Sequence, residues 1–198
     1  MGSDSSDDAA AWERAASGEG LAYAELFRKH QGRVYRRALT LVGEVHGAED
    51  IVAAAFFELW RKRRSVRVVE GSVLPWLLVT TVNLARNHRR ATMRYRGLIA
   101  SLPRHSSTDP EAVAVANLDT RVLGIRLSEA FSLLSSSDVA LLVLTTLDGL
   151  TIADAADALG MKPGTARMRL KRARERLQEN LADERHRFMH ASVEGENG

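Results

Sequence analysis

The chain has 198 residues, 45% of them hydrophobic, which gives room for one large domain or two small ones with proper cores. It has no cysteine, which excludes disulfides, thiolate metal sites and cysteine nucleophiles and suits the cytosol. The net charge is only +3, yet basic residues crowd into 28–37, 61–67, 86–104 and 162–176, a distribution that points to nucleic acid.

Residues 1–8 are polar, with Asp4, Asp7 and Asp8, and read as disordered. They lack the basic-then-apolar order of a signal peptide. No later run is long and apolar enough to span a membrane, so a cytoplasmic protein is expected. Residues 9–16 can form a short helix, broken by Ser17, Gly18 and Gly20. A strong helix is predicted over 23–41, with Leu26, Phe27, Val34, Ala38 and Leu41 on its apolar face. Gly43 and Gly47 mark the turn.

A second helix is predicted over 48–63. Ile51, Val52, Ala55, Phe56, Leu59 and Trp60 make its apolar stripe. The opposite side carries Glu49, Asp50, Ala53, Ala54, Phe57, Glu58 and Arg61. Phe57 stands out there: either a partner covers it, or the buried arc is simply wide. A loop at 64–72 follows, then a third helix over 73–95, whose first turn tolerates Pro75. Leu74, Leu77, Leu78, Val82 and Ala85 face its core. Trp76, Thr80, Asn83, Asn87 and Arg90 lie opposite, a mixture of ring, amide and cation that suits unstacked bases. Trp76 alone fits core packing equally well.

Periodicity fades over 97–117, where Pro103, Ser106, Ser107, Thr108, Asp109 and Pro110 indicate a flexible linker. Helical pattern returns at 118–134, and Ser135 to Ser137 cap a further helix at 138–147. That helix is apolar nearly all round and should be the buried centre of a second domain.

Residues 151–177 read as a helix-turn-helix. Thr151 is an N-cap with Asp154 three residues on. Gly160 fits the left-handed end of the first helix, and Pro163 the first turn of the second. In that second helix Ala166, Leu170, Ala173 and Leu177 face inward. The outward arc carries Gly164, Thr165, Arg167, Met168, Lys171 and Arg172, with Lys162 just before it. Gly164 lets backbone approach a phosphate. Arg167 and Arg172 can read guanine edges or neutralise phosphate. Beyond 182 the tail is polar. His186 and His190 there have helical spacing but no further ligand beside them, so two exposed histidines are expected rather than a metal site.

The reading is all-α: two helical domains joined by a flexible linker, the second ending in a helix-turn-helix. The expected divisions are a polar tail at 1–20, a first domain at 21–96, a linker at 97–117, a second domain at 118–182 and a polar tail at 183–198. No clustered carboxylates, metal-ligand set or activated nucleophile point to an enzyme, and no cofactor is expected.

Four stretches in this order carry a resemblance: AELFRKHQGRVYRRAL from Ala24, AEDIVAAAFFELW from Ala48, PWLLVTTVNLARNHRR from Pro75 and GLTIADAADALGMKPGTARMRLKRARERL from Gly149. The chain resembles bacterial RNA polymerase sigma factors of the extracytoplasmic-function group over about 21–181. The resemblance implies a non-enzymatic factor that binds core RNA polymerase and gives it promoter specificity. It implies that Thr165, Arg167, Met168, Lys171 and Arg172 read the duplex minus-thirty-five element. Asn83, Arg86, Arg89 and Arg90 match positions that meet the melted minus-ten strand, and the loop 66–72 one that cups a flipped base. The helix at 48–61 resembles the one that docks on the polymerase clamp, and the linker a segment in the RNA exit region. The family also admits an anti-sigma factor as a partner.

Three departures from the family pattern stand out. Ala53 and Ala54 replace a usual Gln and acidic residue on the clamp helix, and Met168 replaces a small polar residue. The 138–147 helix lacks the usual arginines. A helix-turn-helix regulator that never joins polymerase is the alternative, and it would need neither the third helix nor the clamp-like one.

Overall fold

The computed structural model describes residues 3–100, 131 and 134–194, all helix, turn or loop apart from one isolated bridge between Val69 and Ser72. The helices are α1 (Ser3–Ser17), α2 (Gly20–Val42), α3 (Val45–Arg61), α4 (Leu74–Ala100), α5 (Ser136–Leu142), α6 (Ile152–Ala158) and α7 (Pro163–Glu194). The linker lies mostly, and the 118–134 helix almost wholly, outside the described residues.

Helices α1 to α4 pack as a bundle. Buried Leu26, His30, Val34, Ala38 and Leu41 recur along α2 at helical spacing, and α3 answers with Ile51, Ala55, Phe56 and Leu59. Helix α2 ends where Gly43 takes φ 74°, a left-handed cap whose N–H bonds the Leu39 carbonyl at 2.8 Å. Gly47 allows the start of α3 to approach α4. A Cβ there would come within 2.8 Å of Glu44 Oε1 and 3.0 Å of His88 Nε2. Tyr23 donates its phenol proton to the Phe56 carbonyl, and its ring meets Trp60 edge-on at 5.2 Å. Burial pushes this phenol up to about 12, so it stays a donor throughout the neutral range.

The expected N-terminal tail is a correction. Residues 3–17 are helical, and α1 buries Asp8, Ala11, Trp12 and Ala15 on one face against α2 and its neighbours. Trp12 supplies the reason: an aromatic of that size at i+4 from Asp8, with small alanines beside it, makes a buried stripe. Likewise α7 continues through the expected start of the C-terminal tail to Glu194. The side chains of His186 and His190 lie outside the described residues.

The second unit is built on α5. Ser135 caps it by accepting from the Asp138 N–H at 3.2 Å. Val139 to Leu144 are buried, as the all-round apolar pattern requires. From Val143 to Leu147 the helix loosens into a π turn, where Thr145 Oγ1 donates back to the Leu141 carbonyl at 2.7 Å. Thr151 caps α6, accepting from the Asp154 N–H at 3.1 Å. Gly160, at φ 68°, closes α6 with Met161 N–H bonded to the Ala156 carbonyl at 2.9 Å.

The two units share a core. Ala38, Leu41, Leu78, Val82 and Ala85 of the first lie in one buried cluster with Val139 to Leu144 and Ala155 of the second. Charged contacts frame it. Arg37 forks onto the Asp148 carboxylate at 2.8 and 3.1 Å, and Arg33 donates to the Asp148 carbonyl at 2.7 Å.

The buried Asp8 gives the bundle an acid-sensitive point. Burial alone would raise its pKa. Hydrogen bonds from His30 and Ser72, with the charges of His30 and Lys29, outweigh that and hold it below the ordinary 3.8. A depressed carboxyl stabilises the fold above its unfolded pKa and loses that contribution as pH falls through the folded one. Thermal melts of the wild type and of Asp8→Asn should therefore differ at pH 5 and converge as pH drops from about 4 to 2. A constant difference across that range would contradict the ionised pair.

Candidate nucleic-acid interfaces

The recognition helix follows from the residues of α7. Ala166, Leu170 and Ala173 are 0–2% exposed and hold it against α5 and α6. Their burial turns Thr165, Arg167, Met168, Lys171 and Arg172 outward, all exposed. Met168 is 52% exposed, an apolar surface of the kind that meets a thymine methyl. Lys162 and Gly164 lie exposed at the start of the helix, and a Cβ at 164 would meet no atom within 4 Å. Packing therefore does not demand a glycine there. Arg169, in the middle of the arginine-rich stretch, is committed elsewhere. Its Nε bonds Asp138 at 2.7 Å and its Nη2 bonds Ser135 at 2.8 Å, which ties α7 to the start of α5.

Helix α4 presents a second set. Asn83, Asn87 and Arg90 are exposed, and Arg86 and Arg89 are half-buried. Arg86 donates to the Leu134 carbonyl at 2.7 Å, so in this arrangement it bridges the two units. Burial, then the neighbouring charge of Arg90, lowers its pKa. Trp76 is half-buried and packs on the cluster of Leu26, Phe56 and Leu77, so packing accounts for much of the ring.

Beside α4 stands the loop 66–72. It closes as a two-residue turn: Val69 and Ser72 exchange backbone bonds of 3.1 and 2.9 Å. Both tip residues have positive φ, Glu70 at 48° and Gly71 at 76°. For Gly71 that is ordinary, while for Glu70 it carries strain that the surroundings must hold. The turn borders an open groove of about 1260 Å³ lined by both signs of charge, Arg28, Arg33 and Arg36 of α2 together with Glu49, Asp148 and Asp154. Arg67 reaches out of the loop to the carbonyl of Asp157 on α6 at 3.1 Å.

A third surface lies on α3. Glu49, Asp50 and Ala53 are exposed, Ala54 and Glu58 half-buried, and Phe57 is 65% exposed. The wide-arc reading of Phe57 is therefore incorrect for this chain: its ring faces solvent. Glu58 pairs with Arg61 at 2.7 Å and Lys62 at 3.3 Å, and the Arg61 hydrogen bond holds its carboxyl low.

Sequence reasoning missed two buried polar centres. Asp8 and His30 meet at 2.7 Å, although His30 interrupts an apolar stripe and so signalled a buried partner. Asp148, which precedes Gly149 at the entry to the helix-turn-helix, is the second: its carboxylate anchors Arg37.

Residues 26–95 match the family described as Sigma-70 region 2, and residues 125–177 that described as Sigma-70, region 4. Over 160 residues the chain is 34% identical to the ECF RNA polymerase sigma factor SigE of Mycolicibacterium smegmatis, covering 80% of this chain and 61% of that protein. The chain belongs to the sigma-70 family, in its extracytoplasmic-function (ECF) group. It is also 29% identical over 172 residues to the RNA polymerase sigma factor CarQ of Myxococcus xanthus, covering 86% of this chain and 95% of CarQ. The solved structure of CnrH in complex with the cytosolic domain of CnrY shares the fold, with a TM-score of 0.57 at 20% identity over 89% of this chain and 98% of CnrH. This ECF chain thus spans 61% of the length of SigE, and nearly all of CarQ. The region 2 match takes in α3, the 66–72 loop and the α4 set. The region 4 match takes in the recognition helix. Helix α1, with Asp8, precedes both. Among the described residues no helix is long and apolar enough to cross a membrane, and no metal-binding cluster occurs.

Proposed function

We propose that this ECF chain is an alternative sigma factor. It joins core RNA polymerase and directs it to promoters, and supplies no catalytic group of its own. The observation that carries this reading is the presence of two separate outward-facing sets on one chain. One is the recognition helix with Arg167, Met168, Lys171 and Arg172, suited to a duplex major groove. The other is Asn83, Asn87 and Arg90, exposed along α4, the helix that follows the tight 69–72 turn in the chain, a set suited to a melted strand. A repressor needs only the first. In this reading the recognition helix takes the minus-thirty-five element, and α4 with the 66–72 loop takes the minus-ten strand. The α3 face docks on the polymerase. An anti-sigma factor would compete for these surfaces in the cytoplasm.

Docking should be more apolar than the family pattern suggests. Ala53 and Ala54 offer no side-chain hydrogen bonds, whereas Phe57 offers a ring that stands open to solvent. Complete burial of such a ring is worth roughly 1.5–3 kcal/mol. Phe57→Ala should weaken core polymerase binding roughly 10- to 100-fold at every salt concentration. Asp50→Ala should matter at low salt and fade at high salt, where the charge is screened. A salt series of binding isotherms checks both. Wild-type affinity for Phe57→Ala throughout would remove α3 from the docking surface.

A further inference from the structure

The 66–72 loop is anchored from outside the regions that match the family. Asp8, on α1, is 2% exposed and lies at the foot of the turn. Its Oδ1 is 2.7 Å from His30 Nε2, with Lys29 Nζ at 3.8 Å. An ionised carboxylate only accepts, so His30 Nε2 carries the proton. The other oxygen, Oδ2, accepts from the Ser72 hydroxyl and from the Val73 N–H at 3.3 Å. Ser72 Oγ in turn accepts from the Leu74 N–H at 3.1 Å. One carboxylate thus satisfies, directly and by relay, two orphan donors at the start of α4, and it pins the last residue of the turn.

That pin matters for the tip. Glu70 holds a left-handed φ of 48°, which a residue with a Cβ keeps only where its neighbours leave it no alternative. Two constraints supply that. Val69, on one side of the tip, is 4% exposed and packed in the core. Ser72, on the other, is held by Asp8. With both feet fixed, the two tip residues have one shape, and Glu70 presents it at the edge of a groove that Arg28 and Arg36 share with Glu49 and Asp154. A rigid turn at the edge of an open groove can discriminate between bases. A mobile one binds them alike, since base stacking and phosphate contacts are sequence-tolerant.

We propose that Asp8 is a positioning residue for base selection: through Ser72 and Val73 it sets the turn 69–72 in the shape that receives an unpaired base of the minus-ten strand. This rests on the assignment of the 66–72 loop to the melted strand made above. Asp8 touches no nucleotide in this account and acts only through the turn.

The test uses core RNA polymerase loaded with the full chain, titrated against single-stranded DNA oligonucleotides that span the minus-ten element. Each position is varied through the four bases, and the readout is the ratio of affinities for the best and the other bases. Four variants are compared: Asp8→Ala, Asp8→Asn, Ser72→Ala, and a chain whose residues 66–71 are replaced by glycine and serine. The loop replacement should flatten discrimination at one position. Asp8→Ala and Ser72→Ala should flatten the same position at least fivefold, with affinity for duplex upstream DNA unchanged. Asp8→Asn, which keeps an acceptor oxygen, should fall between them and the wild type. If Asp8→Ala fails to fold, Ser72→Ala carries the same comparison, because it leaves the Asp8–His30 link intact. If the loop replacement flattens discrimination while Ser72→Ala and the folded Asp8 variants stay within twofold of wild type, the positioning role is overturned and the loop assignment stands. If the loop replacement leaves discrimination intact, both are overturned. A lower melting temperature with unchanged ratios would reduce Asp8 to a fold-stabilising residue and overturn the proposal.

Discussion

Asp148→Ala should lower the melting temperature by roughly 10 °C, from a loss of about 3–5 kcal/mol. The Asp148 side chain is 2% exposed and that of Arg37 11% exposed, so solvent cannot take over the pairing. Removing the carboxylate leaves the Arg37 guanidinium desolvated and without its forked acceptor, and an uncompensated buried charge is the costly outcome. Arg33 suffers less. Its side chain is 42% exposed, and its bond to the Asp148 carbonyl survives the substitution. The double variant Arg37→Met with Asp148→Leu separates the terms. Replacing both partners by apolar groups of similar size should recover most of the lost stability, since no desolvated charge is then left without its partner. A single variant that melts within a degree of wild type would show that the apolar contacts alone hold the two units together.

The second large effect lies in the recognition helix. Arg167→Ala or Arg172→Ala should weaken binding to the preferred upstream element by about 1–3 kcal/mol, roughly 5- to 150-fold, and relax selectivity at one base pair. An arginine that touches only phosphate would instead weaken all sequences alike and shallow the salt dependence. Arg169→Ala is the contrast, because its guanidinium is spent on Asp138 and Ser135. It should lower thermal stability and leave base preference intact. Binding curves on a panel of single-base-pair variants of the upstream element distinguish the three. Full affinity and selectivity in both Arg167→Ala and Arg172→Ala would remove base reading from this helix.

The comparison of these three arginines shows what could be read in the sequence. Helical period places Ala166, Leu170 and Ala173 inward, and that alone puts Arg167 and Arg172 outward. It leaves Arg169 at the edge, where only the position of Asp138, 31 residues away, decides its role. The same division runs through the fold. Stripes such as Ile51, Ala55, Phe56 and Leu59 are local and were legible, as were the caps at Thr151 and Gly160. Phe57 was visible as an anomaly, and its exposure needed the packing of the whole bundle.

The missed residues share one property: their partners lie far along the chain. In the sequence Asp8 sits among acidic neighbours whose charge masks the Ala11, Trp12 and Ala15 pattern that follows it. Its partners Ser72 and Val73 lie 64 and 65 residues away. Asp148 stands before a glycine, where an Asp is common in any turn, and Arg37 is 111 residues from it. Local periodicity carries no information about such pairs. The packing of the two units likewise could not be read from a Pro- and Ser-rich linker, since composition reports chain stiffness and not what the ends do.

The central claim is that the chain works as part of RNA polymerase. Run-off transcription tests it most directly, with purified core polymerase, the full chain and a library of duplex genomic fragments. Discrete transcripts should appear only when the chain is present. Their start sites should share two upstream elements at fixed spacing, and Phe57→Ala should reduce the yield at every one of them. An identical transcript set with and without the chain, while it still binds duplex DNA through α7, would contradict the account and leave a helix-turn-helix regulator in its place.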